Sequence, residues 1–178
     1  KFRDRIRLYV DSAFTDYKER VNEVRERGFT AVKFDLDDAQ NPHKLDRWNW
    51  SVTPDELKSI VDSAFAIREG IGDSLDLAMD LHGRYDATAG TKFAHALEPL
   101  NLLWLEEPVP PENIEALGRI TQGTRTPICA GENLYLRYGF RDLLERQAVD
   151  IIMPDISKCG GLSECRKIAN MAEIYYIP

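Results

Sequence analysis

The stretch Leu75-Asp76-Leu77-Ala78-Met79-Asp80-Leu81-His82 is an apolar run of strand length that ends on a carboxylate and a histidine. Its central positions are continuously apolar, as expected of a strand buried on both faces of a parallel sheet. The same design recurs along the chain. Short apolar runs at Ile6–Val10, Thr30–Leu36, Leu102–Glu106, Pro127–Gly131 and Val149–Met153 read as further strands, and a seventh begins near Tyr176. Helical periods fill the gaps, at Asp16–Arg27, Thr88–Glu98, Glu112–Thr121, Tyr138–Arg146 and Leu162–Glu173. The sharpest helix signal is Thr53-Pro54-Asp55-Glu56, where threonine can cap, proline suits the first turn and Glu56 can close a capping box. Its predicted apolar stripe is Leu57, Ile60, Val61, Ala64 and Phe65, with Gly70 and Gly72 as the stop. Alternating strands and helices predict an α/β fold with a parallel sheet.

No Gly-, Ser- or Pro-rich linker divides the 178 residues, so one domain is expected over 1–178. The longest interruption, Asp37–Val52, carries His43 and the cluster Trp48-Asn49-Trp50, and reads as a lid, an interface, or tryptophans packed on neighbouring surface. The formal charge of −7 argues against nucleic acid or an anionic membrane as the main partner. No run approaches the ~20 apolar residues of a membrane span. Cys129, Cys159 and Cys165 form no zinc or redox pattern and are read as inert thiols, with a reducing cytoplasm as the simplest compartment.

Ligands of parallel α/β folds bind at the carboxyl ends of the strands, and four consecutive strand ends here are acidic: Asp80, Glu106, Glu132 and Asp155. Strand alternation with these acids inward also sends in Ala78, His82, Leu102, Trp104, Ile128, Ala130, Ile151 and Met153, and leaves Leu77, Met79, Leu103 and Leu105 facing the helices. On the second strand Ala31, Lys33 and Asp35 point inward. Neighbouring carboxylates at ~4 Å repel by about 4 kcal/mol per pair at an effective dielectric near 20. A divalent cation removes that cost, and all-oxygen ligation suits Mg²⁺, or Mn²⁺ in its place. Three carboxylates and one such ion leave a net negative charge, so an anionic substrate needs nearby cations, which Lys33, Arg84 and Lys158 can supply. An inward lysine has two readings: a salt bridge to Asp35 or to a ligand acid, or support for a substrate carboxylate. His82 is likewise either a hydrogen-bond partner of a ligand acid or a proton donor. Gly160-Gly161 can offer amides to an anion or make a tight turn.

The set Lys33-Phe34-Asp35, Asp80-Leu81-His82-Gly83-Arg84, Trp104-Leu105-Glu106-Glu107-Pro108, Ala130-Gly131-Glu132-Asn133 and Met153-Pro154-Asp155-Ile156-Ser157-Lys158-Cys159-Gly160-Gly161 resembles the mandelate racemase group of the enolase superfamily. Asp80, Glu106 and Glu132 recur at intervals of 26 residues, which matches that group's metal ligands. The resemblance implies a (β/α)8 barrel, of which this chain holds about six βα units and the start of strand seven, with the capping domain and last strands expected elsewhere in a longer protein. It implies Mg²⁺ on Asp80, Glu106 and Glu132, an enediolate formed by α-proton abstraction, and Asp155 as the partner of a basic histidine expected beyond Pro178.

Asp35 stands where racemases of the group carry a second lysine. The Asp-x-His-Gly-Arg run resembles acid-sugar dehydratases of the galactonate type, with His82 as general acid for a departing hydroxyl. Lys33, Asp35, Arg84 and Lys158 are the expected substrate contacts, with Lys33 also assisting catalysis by its charge, and Tyr85 is a further contact read from position alone. The expected activity is Mg²⁺-dependent dehydration of a sugar acid to a 2-keto-3-deoxy acid in the cytoplasm, by a homo-oligomer when full length. Racemisation or epimerisation at the α-carbon, and a non-catalytic metal-binding homologue, are the alternatives.

Overall fold

The computed structural model describes residues 4–12, 17–36 and 50–178. Six strands, β1 (Val10–Ser12), β2 (Ala31–Asp35), β3 (Asp76–Asp80), β4 (Trp104–Glu106), β5 (Ile128–Ala130) and β6 (Ile151–Ile152), form one sheet in sequence order. Every pairing is parallel. Parallel neighbours require crossovers, and the helices supply them: α1 (Tyr17–Glu26), α2 (Pro54–Ile71), α3 (Ala87–Ala96), α4 (Ile114–Gly123), α5 (Leu136–Glu145) and α6 (Leu162–Ile174). Past α6 the chain returns to the sheet, and the Ile152 amide donates to the Pro178 carbonyl at 3.0 Å. That bond lies where a seventh strand was expected.

The α2 signal is realised by the Thr53 hydroxyl, which accepts from the Glu56 amide at 3.2 Å, and by Gly72, whose φ of +63° ends the helix. Among the described residues the return bond from Glu56 is absent, and Gly70 lies inside the helix rather than stopping it. The buried stripe runs through Ile60, Ala64, Ile67 and Ile71, so the face is rotated from the expected one and Phe65 is 41% exposed. Asp86 and Asn113 cap α3 and α4 in the same way as Thr53, through the amides of Ala89 and Ala116. β1 begins at Val10 rather than Ile6, because its ladder pairs Val10, Asp11 and Ser12 with Val32, Lys33 and Phe34. Ile6 and Leu8 are exposed at this sheet edge.

Two apolar layers flank the sheet. The main core, between strands and helices, contains Val32, Phe34, Leu77, Met79, Leu105, Ile128 and Ala130 with Ile60, Phe93, Leu117 and Phe140. The inner face carries Ala78, Trp104 and Cys129, with Tyr9, Leu103, Ile151 and Met153 against them. Tyr9 meets Trp104 edge-on at 5.2 Å between ring centroids and donates its hydroxyl to Met153 Sδ at 3.3 Å. Among the described residues no helix is long and apolar enough to cross a membrane.

These layers correct the expected alternation on two strands. On β5 it is Cys129 that points inward, in register with Glu106, while Ile128 and Ala130 face the helices. On the approach to β4, Leu102 joins the helix-side core and Leu103 the inner face. On β5 the alternation reverses between Ala130 and Glu132, at Gly131. Gly131 has φ +137°, so the alternation of an extended strand does not carry across it.

Candidate active site

The carboxyl ends of the strands gather Lys33, Asp35, Asp80, His82 and Glu106 at one edge of the inner face. Asp35 pairs with Asp80 and Asp80 with Glu106 in the parallel ladders, so three acids stand at one level on adjacent strands. Lys33, one step below Asp35 on the same face, lies among them. Its ammonium donates to Asp80 Oδ2 at 2.8 Å and to Glu106 Oε2 at 3.1 Å. Lys33, Asp80 and Glu106 are 6%, 1% and 1% exposed, so this is a buried triad. Of the two readings of Lys33, the salt bridge to candidate ligand acids is the contact formed.

The remaining bonds are unevenly shared. Asp80 Oδ1 accepts from the His82 amide at 2.8 Å, and Glu106 Oε2 also accepts from Trp104 Nε1 at 3.0 Å. Glu106 Oε1 is buried with no hydrogen-bond partner among the described residues. Two carboxylates face one ammonium, so one negative charge is in excess. Burial, then the charge of Asp80, push Glu106 up to about 7. Burial works to lower the Lys33 ammonium, but its hydrogen bond to Asp80 and the charge of Glu106 outweigh it and hold it above its ordinary value. A buried, orphaned carboxylate oxygen beside uncompensated negative charge is a donor set that fits a hard divalent cation.

Asp35, Asp80 and His82 also form a cluster whose ligand atoms all lie within 4.8 Å of one another. His82 Nε2 is 3.9 Å from Asp35 Oδ1 and 3.8 Å from Asp80 Oδ2. His82 has φ +51°, so the chain turns directly after β3 and carries the imidazole back over the strand end.

Glu132 stands further along the mouth. Half-buried after Gly131, it accepts from Asn133 Nδ2 at 3.2 Å and does not join Asp80 and Glu106 in one tight cluster. Asp155 Oδ1 accepts from the Lys158 amide at 2.8 Å, closing the turn after β6. Exposed Lys158 donates from Nζ to Asn133 Oδ1 at 3.1 Å. Arg84 is exposed at the mouth, whereas Tyr85 is buried against Phe93 at 4.7 Å and belongs to the core rather than to a substrate contact. Gly161 donates its amide to the Ile156 carbonyl at 2.8 Å, so the glycine pair makes a turn. Cys129 and Cys159 are buried, Cys165 is half-buried, and burial pushes the Cys129 thiol up, as expected of inert thiols. His95 is exposed with its ring nitrogen 2.8 Å from the Gly123 carbonyl, and Trp50 is 56% exposed. His43, Trp48 and most of the Asp37–Val52 loop lie outside the described residues.

Glu107 escaped the sequence reading. Alternation would send it to the helix side, but at φ +37° the chain leaves the extended strand, and the buried carboxylate accepts from Asn133 Nδ2 at 2.6 Å at the strand end. The signal was an acid pair directly before Pro108, where alternation ends.

A family model described as "Enolase C-terminal domain-like" matches residues 16–178. D-xylonate dehydratase of Haloferax volcanii is 43% identical over 185 residues, which cover 100% of this chain and 45% of that protein. D-galactonate dehydratase of Ralstonia nicotianae is 41% identical over 119 residues, covering 65% of this chain and 31% of the relative. Among solved structures, a mandelate racemase/muconate lactonizing enzyme-like protein from Rubrobacter xylanophilus superposes with a TM-score of 0.91 at 44% identity, over 99% of this chain and 50% of that one. The chain thus spans about half the length of these relatives, or less. With its parallel βα sheet, its acids at successive strand ends and this match along nearly its whole length, the chain belongs to the enolase superfamily, in the C-terminal barrel domain of the mandelate racemase and muconate lactonizing enzyme group.

Proposed function

We propose that the protein is a Mg²⁺-dependent dehydratase that converts a sugar acid to a 2-keto-3-deoxy acid. The observation that carries this reading is His82, placed with Nε2 beside Asp35 and Asp80 at the edge of a carboxylate site, in a chain whose relatives include D-xylonate and D-galactonate dehydratases. Asp80, Glu106 and Glu132 would hold Mg²⁺, or Mn²⁺ in its place, and the ion supplies positive charge against the substrate carboxylate.

The chain's own residues do the rest. Lys33 keeps Asp80 and Glu106 together and adds a fixed positive charge at the mouth, against which negative charge developing on the substrate is stabilised. His82, with Nε2 within 4 Å of two carboxylates, is assigned as the acid that gives a proton to the C3 hydroxyl as that group leaves. Asp35 occupies the face where a second base would stand, which favours elimination over two-base racemisation. Lys158 and Arg84 reach the outer part of the mouth and are assigned to the substrate's carboxylate and hydroxyls. Asp155 is assigned to orienting the base that takes the C2 proton.

The test is a panel of sugar acids incubated with the full-length protein and Mg²⁺, with semicarbazide to trap 2-keto acids. Semicarbazone formation from xylonate- or galactonate-type acids is the expected result. Deuterium exchange at C2 with every hydroxyl retained would instead establish an epimerase or racemase.

A further inference from the structure

At the carboxyl ends of β4, β5 and β6 a second polar network runs beside the Lys33 triad, with Glu107 at its centre. Its carboxylate accepts from the Gly131 amide at 3.3 Å and from Asn133 Nδ2 at 2.6 Å. Its backbone joins the same strand ends: the Glu107 amide donates to the Cys129 carbonyl at 2.9 Å, and its carbonyl accepts from the Gly83 amide at 2.8 Å, directly after His82. Asn133 passes the network on, with Nδ2 also donating to Glu132 Oε1 at 3.2 Å and Oδ1 accepting from Lys158 Nζ at 3.1 Å.

A fully buried carboxylate with no ammonium or guanidinium on it among the described residues is costly and calls for a purpose. Packing alone would be served by an apolar side chain of similar size. What the carboxylate provides is an acceptor-only group. Asn133 must therefore turn its NH2 inward, which leaves its carbonyl oxygen outward for Lys158.

We propose that Glu107 is a positioning residue: its buried carboxylate sets the orientation of the Asn133 amide, and Asn133 in turn holds the Glu132 carboxylate and the Lys158 ammonium at the mouth of the barrel. The inference rests on the reading that Glu132 binds a divalent cation and that Lys158 meets an anionic substrate. Its logic is one of polarity. A glutamine at position 107 brings an NH2 group of its own. Placed towards Gly131, that group opposes the Gly131 N–H; placed towards Asn133, it forces the Asn133 amide to flip and set its NH2 against Lys158. The second arrangement frees both Glu132 and Lys158; the first sacrifices the bond from Gly131, the residue that leads into Glu132.

The experiment measures Mg²⁺ binding by titration calorimetry on the full-length wild type, Glu107→Gln and Asn133→Ala, with KM and kcat for a turned-over sugar acid alongside. Asn133 is half-buried, so its truncation leaves a folded protein even if Glu107→Gln does not. Both variants are expected to bind Mg²⁺ about tenfold more weakly or worse, the range seen when partners of metal ligands are lost. KM is expected to rise through Lys158. A role confined to packing would lower the melting temperature and leave the Mg²⁺ affinity of the folded protein unchanged. Wild-type affinity in folded Asn133→Ala overturns the proposal, even if the wild type dehydrates sugar acids. A weakened Mg²⁺ affinity in a protein that dehydrates no sugar acid leaves the proposal standing and removes the dehydratase reading.

Discussion

Lys33 on β2 reaches past β3 to donate to Glu106 on β4 at 3.1 Å, and on the way it donates to Asp80 at 2.8 Å. One ammonium thus spans three adjacent strands and serves two buried carboxylates. Burial, and then the charge of Asp80, raise Glu106 to about 7, and its Oε1 is without a hydrogen-bond partner among the described residues.

Removing that ammonium leaves two buried acids facing each other. Lys33→Met is expected to destabilise the protein by about 3–5 kcal/mol in the presence of a chelator, the cost of stripping one partner from a buried ion pair. Saturating Mg²⁺ should recover part of the loss by binding the folded state. Urea unfolding with chelator and with Mg²⁺ checks this. A deficit of the same size under both conditions would speak against Asp80 and Glu106 as cation ligands.

His82 is assigned to the leaving hydroxyl and not to the C2 proton. His82→Asn should therefore lower dehydration by about 10²- to 10⁴-fold, the usual contribution of a positioned acid, while wash-in of deuterium at C2 persists. Proton NMR in deuterium oxide reads both steps at once. Equal loss of exchange and elimination would move His82 out of the general-acid role.

Glu164 staples α6 to α5 through a two-pronged ion pair with Arg137, at 2.7 and 3.0 Å. The Arg137 side chain, and then the Arg137 amide, hold the carboxyl at about 2, below its ordinary 4.5. A depressed carboxyl pKa means the folded state releases this proton more readily than the unfolded chain. The stabilisation is therefore complete above about 4.5 and is lost as the pH falls through about 2. Glu164→Gln should melt below the wild type at neutral pH, with the two curves converging in acid. Thermal melts across that range test the slope, and a gap that widens on acidification would contradict the assignment.

Gly131 occupies the bend that brings Glu132 and Asn133 into the mouth. A Cβ there would lie 2.9 Å from Phe140 Cε1 and 3.2 Å from the Met153 amide, at a φ of +137° that side-chain-bearing residues rarely adopt. Gly131→Ala is expected to cost about 1–3 kcal/mol by overpacking, and to weaken Mg²⁺ binding as Glu132 is displaced. Chemical denaturation and calorimetry measure the two effects separately.

The repeating unit and the acids that close it were legible in the sequence. Apolar runs of strand length, the Thr53 cap and the strand-end carboxylates depend on local preferences and on a two-residue alternation that holds wherever the backbone stays extended. Strand ends were read less well. Val149–Met153 narrows to a two-residue β6, and the inward face of β5 came out reversed.

The reason is physical. Alternation assigns faces only up to the last extended residue, and here the chain turns at His82, Glu107 and Gly131, each with positive φ, beside the groups that make the site. Sequence alone determined that Asp80, Glu106, Glu132 and Asp155 close successive βα units and that Lys33 points inward among them. Tertiary structure decided which acids Lys33 binds, that the buried Glu107 carboxylate meets Asn133 and Gly131, and that Asn133 links Glu132 to Lys158. Apart from the adjacent Glu132 and Asn133, those contacts join residues 24 to 73 positions apart, such as Lys158 with Asn133 and Lys33 with Glu106. Their geometry depends on how neighbouring strands come into register, which no local period encodes.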